Sequence, residues 1–184
     1  MKAIIICGPA ASGKTTVARA IARRLGLPQF DGGDALKEIA RRRGYHPSGV
    51  DWWDTRRGIR FLMERKADPK FDREADKIML ARIAKGNVVV TSWTMPWISK
   101  KGFKVWLDAD INERARRMAK RDGSTLKRAR AAVLVRDREN KSLYKKMYNI
   151  ELGKDMRPFD LIVEATNLSP KEVSDIMIKN VGGR

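Results

Sequence analysis

The nine residues Gly8-Pro9-Ala10-Ala11-Ser12-Gly13-Lys14-Thr15-Thr16 carry the strongest chemical signal in the chain. They match the spacing G-x-x-x-x-G-K-S/T in full. A β-branched run over residues 2–7 leads in, and an apolar-periodic helical stretch over residues 14–25 leads out. Glycines let backbone N–H groups curl around phosphate oxygens, and the positive end of the following helix points at the same anion. In that arrangement Lys14 reaches the β- and γ-phosphates. Thr15 offers a hydroxyl to Mg²⁺, and Thr16 lies on the α-phosphate side. The expected ligand is a nucleoside triphosphate.

Phosphoryl transfer competes with hydrolysis, so it needs cations around the moving group and a cover that expels water. Residues 112–148 hold eight arginines and five lysines against four acids, about half of the chain's +18 excess. Arg114, Arg117 and Arg121 are spaced to share one helix face. Arg128, Arg130, Arg136 and Arg138 follow beyond Gly123, a candidate hinge. Guanidinium groups clamp two oxygens at once, which suits a transition state with charge spread over three. A phosphate acceptor is already an anion near neutral pH and needs no strong base. A hydroxyl acceptor would need one, with Asp34 or Asp72 as candidates.

The elements that must position these groups read as alternating strands and helices. Strands are expected at 2–7, 28–30, 87–91, 103–107 and 160–165. Helices are expected at 14–25, 35–43, 71–85, 111–121, from 124 or 125 to 148, and from Ser169-Pro170-Lys171-Glu172 onward. Residues 44–70 show no divisible pattern. Alternation of this kind predicts a parallel sheet covered by helices on both faces, with ligands at the carboxyl ends of the strands.

Composition sets the outer bounds. The chain has 184 residues, enough for a single domain with a buried core. No apolar run reaches the length of a membrane span, and the start of the chain lacks a signal-peptide pattern. One cysteine (Cys7) and one histidine (His46) rule out a disulfide framework and an ordinary zinc site. The expectation is a cytoplasmic protein, monomer or homodimer, without a membrane partner. A net charge of +18 suits polyanions, whether nucleotides or nucleic acid.

Beyond the first motif, Asp31-Gly32-Gly33-Asp34 opens a helix, Asp72-Arg73-Glu74-Ala75-Asp76 lies on another, and Tyr144-Lys145-Lys146-Met147-Tyr148-Asn149-Ile150-Glu151 ends the basic helix. Together with residues 8–16 and in this order, they resemble the archaeal-type cytidylate kinases of the nucleoside monophosphate kinase group, from Lys2 to about Val181. The resemblance implies ATP + CMP giving ADP + CDP with Mg²⁺; dCMP and UMP are the other acceptors considered. It implies a three-layer α/β/α P-loop NTPase fold on a five-stranded parallel sheet, as one domain over residues 1–184. A helical monophosphate-binding insert at 35–70 and an Arg-rich lid at 121–148 go with it. The triphosphate side comprises residues 8–16 with Arg117 and Arg121; Lys14, Arg128, Arg130, Arg136 and Arg138 are the catalytic candidates. Asp34, Lys37, Arg41, Asp72, Arg73 and Trp93 are the acceptor-side candidates. Thr91-Ser92-Trp93 stands where this family usually carries Glu-Gly-Arg, Leu143 where it has an arginine, and Lys37 where arginine is common.

Those departures draw attention to the tryptophans. Trp52, Trp53, Trp93 and Trp97 fall in or beside the acceptor segments, and only Trp106 falls in an expected core strand. Each ring either stacks on a base or is buried as ordinary packing. Asp34 either serves the acceptor or caps its helix, and capping or an ion pair is the preferred reading of Asp72. Three function classes remain compatible with these residues: a nucleoside monophosphate kinase, a P-loop kinase or ATPase acting on RNA or another nucleic acid, and an assembly factor switched by ATP. The family likeness favours the first.

Overall fold

The computed structural model describes residues 1–48, 52, 55–68 and 70–182. Its element order is β1 (Ile4–Cys7), α1 (Lys14–Leu25), β2 (Gln29–Asp31), α2 (Gly32–Arg42), α3 (Arg56–Ala67), α4 (Lys70–Lys85), β3 (Val89–Thr91), α5 (Met95–Ile98), β4 (Phe103–Asp108), α6 (Ile111–Asp122), α7 (Leu126–Tyr148), β5 (Leu161–Glu164) and α8 (Pro170–Gly182). The strands pair in parallel in the order β2-β3-β1-β4-β5. The first strand is therefore central. Parallel pairing sends the segments after β1, β2, β3, β4 and β5 to one edge of the sheet.

Alternation along β1 builds the layers. Ile4 and Ile6 pack with Val17, Ile21, Val173 and Met177 of α1 and α8, whereas Ala3 and Ile5 pack with Leu36, Ile39, Phe71 and Met79 of α2 and α4. Two helical layers thus sandwich one sheet, the expected three-layer α/β/α arrangement. Cys7, the last residue of β1, joins a separate cluster with Trp106, Ile150 and Leu152 at the sheet edge. Burial pushes its thiol up to about 12, so it is inert packing.

Within residues 44–70 the structure adds a helix that periodicity does not mark. Thr55 caps α3 by accepting the Gly58 N–H at 3.1 Å. Only Phe61 of its apolar run is fully buried, while Ile59 and Met63 face solvent. Phe61 meets Trp52 at 5.6 Å, Tyr45 at 5.5 Å and Phe71 at 5.4 Å between ring centroids, so Trp52 serves as core. Trp53 lies outside the described residues. The basic helix α7 is capped by Thr125 and closed by Asn149 in the left-handed conformation. Gly123, a candidate hinge by sequence, is the left-handed C-cap of α6.

Candidate active site

The phosphate loop leaves β1 through three left-handed backbones, Gly8 (φ 152), Ala11 (φ 60) and Gly13 (φ 104). For a non-glycine residue such as Ala11, that conformation is uncommon and marks a constrained turn. Among the described residues, the N–H groups of Ala11, Gly13, Lys14, Thr15 and Thr16 have no backbone or side-chain acceptor. No side chain caps α1 either. Five free donors within six residues and a bare helix N-terminus are the elements of an anion cradle. The Ser12 hydroxyl beside them is buried without a partner. A Cβ on Gly8 would fall 2.1 Å from the Leu107 carbonyl oxygen. Gly8→Ala is therefore expected to prevent or severely destabilise folding, seen as loss of soluble protein or of a cooperative melt.

Lys14 spans the loop, donating to the carbonyl oxygens of Gly8 at 2.9 Å and Pro9 at 2.7 Å. Its ammonium also lies 4.6 Å from the centroid of the Trp93 ring. Burial lowers its pKa from 10.5 to about 8. A bound polyphosphate favours the charged form and raises that value. Nucleotide binding is therefore expected to take up a proton above about pH 8, and affinity to weaken there as pH rises. Calorimetric titration in buffers of different ionisation enthalpy checks both. Thr15 and Thr16 are exposed at the mouth of the cradle. No cluster of three acidic, Cys or His metal ligands exists among the described residues. Exposed threonine hydroxyls at the start of α1 are compatible with a Mg²⁺ held largely by phosphate oxygens.

Arginines of α6 brace this loop through its backbone. Arg117 donates to Ser12 O at 2.8 Å and, across the sheet edge, to Ala165 O at 2.6 Å. Arg114 donates to Ala10 O at 3.2 Å and to Asp137 of α7 at 2.6 Å. Asp137 in turn accepts the Ala10 N–H at 2.9 Å, so both sides of one loop residue are held. Arg121 shares their face by spacing but is paired with Asp122. Arg128, Arg130, Arg136 and Arg138 are all exposed, and none has a hydrogen bond to the loop. The group that ties α7 to the loop is an acid, Asp137. Nothing in its spacing singles it out: Arg136-Asp137-Arg138-Glu139 offers two carboxylates, and the fold brings one of them to the loop.

On the acceptor side, Asp31 and Asp34 cap α2 reciprocally, each accepting the other's backbone N–H at 3.0 Å. Burial and the neighbouring Asp31 raise the pKa of Asp34. Lys37 is half-buried on α2, while Arg41 and Arg73 face solvent. Asp72 pairs with Arg65 at 2.6 Å, the ion-pair reading. Trp93 stacks on Tyr144 of α7 at 6.4 Å, with the rings 25° apart. One turn on, the Tyr148 hydroxyl bonds Asp76, which also accepts from Thr94 at 3.4 Å. Burial raises the Asp76 carboxyl and pushes the Tyr144 hydroxyl up to about 12. Trp97 and Trp106 both pack edge-on against Phe159, with indole N–H groups on Asp155 and Asp108. Of the described tryptophans, Trp93 alone lies against Lys14.

A family model described as "Cytidylate kinase-like family" matches residues 3–167. The chain belongs to this family. Cytidylate kinase of Pyrobaculum aerophilum is 33% identical over 180 residues, 97% of this chain and 91% of the relative. That of Pyrococcus horikoshii is 30% identical, over 95% and 85% of the two chains. As a cytidylate kinase-like protein, it is an enzyme of the nucleoside monophosphate kinase type. Among solved structures, an uncharacterized protein from Eubacterium ventriosum aligns at TM-score 0.68 and 18% identity, covering all of both chains. A shikimate kinase from Acinetobacter baumannii aligns at 0.56 and 15%, covering 100% of this chain and 94% of that one. The alignment with the shikimate kinase shows the P-loop kinase fold. No described helix of the kinase is long and apolar enough to cross a membrane.

Proposed function

We propose that this kinase moves the γ-phosphoryl group of Mg·ATP to the phosphate of CMP, giving ADP and CDP, with dCMP or UMP as the alternative acceptors. The reading rests on the five unpartnered N–H groups around Lys14, facing an aromatic wall of Trp93 and Tyr144. The named relatives support cytidine as the base. An oxygen of the acceptor's phosphate attacks Pγ, the bond from Pγ to the β,γ-bridging oxygen breaks, and ADP leaves with that oxygen and its charge. The protein's part is positioning and charge, not covalent chemistry. Residues 8–16 hold the triphosphate tail. Lys14 neutralises charge on the β- and γ-oxygens, and Arg117 keeps the loop in shape from behind. Mg²⁺ on Thr15, when bound, withdraws charge from the same oxygens.

Residues 35–70 would hold the acceptor and residues 121–148 would cover the site. Trp93 and Tyr144 offer a flat wall, with Asp76 near it through Thr94 and Tyr148, and Asp34 and Lys37 of α2 would supply further polar contacts to the acceptor. Arg41 and Arg73 are exposed charges, while the Asp72–Arg65 pair lies near Tyr144. Of the four candidates on α7, we favour Arg136: it lies seven and three residues on from the buried Ala129 and Val133 and so borders the packed face, whereas Arg130 and Arg138 fall on the other flank.

Incubation with Mg·ATP and each nucleoside monophosphate, followed by chromatography, tests the reading. CDP formation fastest among the acceptors is expected; ADP release that no monophosphate accelerates would refute it. Trp93→Ala should raise the acceptor KM by roughly tenfold, the scale of one lost base stack. The KM for ATP should move less, and steady-state kinetics separates the two.

A further inference from the structure

The flank of α7 facing away from Arg136 has its own geometry. Lys127, Arg130, Leu134, Arg138 and Lys141 follow one another at three- and four-residue steps, the spacing of a single stripe on a helix. Over 14 residues the stripe runs about 21 Å. Its middle is a groove of about 460 Å³, lined by Arg130, Leu134, Arg138 and Lys141 with Ile111 of α6 and floored by the Arg114–Asp137 pair. The four cations are exposed, and no carboxylate pairs with them among the described residues. Elsewhere Arg24, Arg42, Arg60 and Arg157 all find carboxylates within 3.4 Å. The groove's own carboxylate, Asp137, is already committed to Arg114 and Ala10.

From this we infer that the outer flank of α7 is a docking surface for single-stranded nucleic acid, separate from the nucleotide cradle. A line of unpaired cations matches a line of phosphates, and the chain's +18 charge adds long-range attraction. Leu134 and Ile111 give the groove an apolar spot between the cations, where the face of an unstacked base can rest. A duplex hides that face. An anionic membrane fits less well, because the exposed aliphatics of α7, Leu126, Leu134, Val135 and Leu143, point to different sides of the helix.

The test is fluorescence anisotropy with a labelled ten-nucleotide single strand over a salt series, with saturating Mg·ATP present to occupy the cradle. At about 0.7 per neutralised phosphate, four contacts give a log–log salt slope near −3. Arg130→Gln/Arg138→Gln/Lys141→Gln should weaken binding by roughly tenfold or more at about 0.1 M salt and bring the slope to about −1. The control removes equal charge elsewhere, as Arg24→Gln/Arg60→Gln/Arg157→Gln, and should leave the slope unchanged. Lys141→Glu alone repeats the test with a single change. Equal loss in both triple variants, an unchanged slope in the first, displacement by ATP, or tighter binding of the matching duplex would each overturn the inference. Nucleotide phosphorylation does not enter the readout, so failure here leaves the kinase reading untouched.

Discussion

Replacing Lys14 by alanine is expected to cut kcat by roughly 10²–10³-fold, the scale of losing one preorganised charge at a developing anion. The protein should keep its fold. Burial depresses the Lys14 pKa to about 8, so near neutral pH the site holds a charged form that its surroundings disfavour. Removing that ammonium costs two hydrogen bonds to loop carbonyls, which water entering the cavity replaces. The expected pattern is a thermal midpoint within a few degrees of the parent beside a near-complete loss of turnover. Arginine at this position should not rescue, because its planar fork does not fit a compact ammonium's place between two carbonyls. Normal turnover in the alanine variant would remove the cradle from the chemistry.

The second large effect belongs to a residue that no motif marks. Asp137 and Arg114 are only 13% and 10% exposed as side chains and lie 2.6 Å apart. Asp137→Ala leaves a guanidinium buried beside Ala10 without its counter-charge. A broken buried pair typically costs about 3–5 kcal/mol. For a chain of this length that is a fall in thermal midpoint of about 10 °C. Asp137→Asn keeps an acceptor for the Ala10 N–H and should lose less. Arg114→Leu with Asp137→Leu removes both charges and should recover most of the stability, since buried pairs are often matched by apolar packing. The double variant still releases both polar groups of Ala10, so its nucleotide affinity should stay low. A melt for Asp137→Ala indistinguishable from the parent would mean that α7 does not brace the loop.

Legibility followed the range of the interactions. By sequence Gly123 is a candidate hinge and Asp34 has two open roles, whereas the start of α7, where the Thr125 hydroxyl accepts the Arg128 N–H, is made by neighbours within a few residues. Local sequence carries that information. Helix α3 escaped because its apolar residues do not trace its buried face: Ile59 and Met63 are exposed while Phe61 is enclosed. Helix α5 is too short, at four residues, for any period to register. Trp52 and Trp93 look alike as letters. One closes the α2–α4 core, and the other lies over Lys14 because β3 neighbours β1.

Residues 8–16 declared a phosphate-binding loop without help, because an anion cradle is built from consecutive backbone groups and needs its glycines and lysine at fixed separations. The same holds for the alternation of strand and helix, since burial on both sheet faces writes β-branched runs directly into the chain. The bracing of that loop came only from folding. Ala10 meets Asp137 across 127 positions, and Ser12 meets Arg117 across 105. Contacts of such separation depend on strand order and on where one helix crosses another, and no spacing along the chain encodes either.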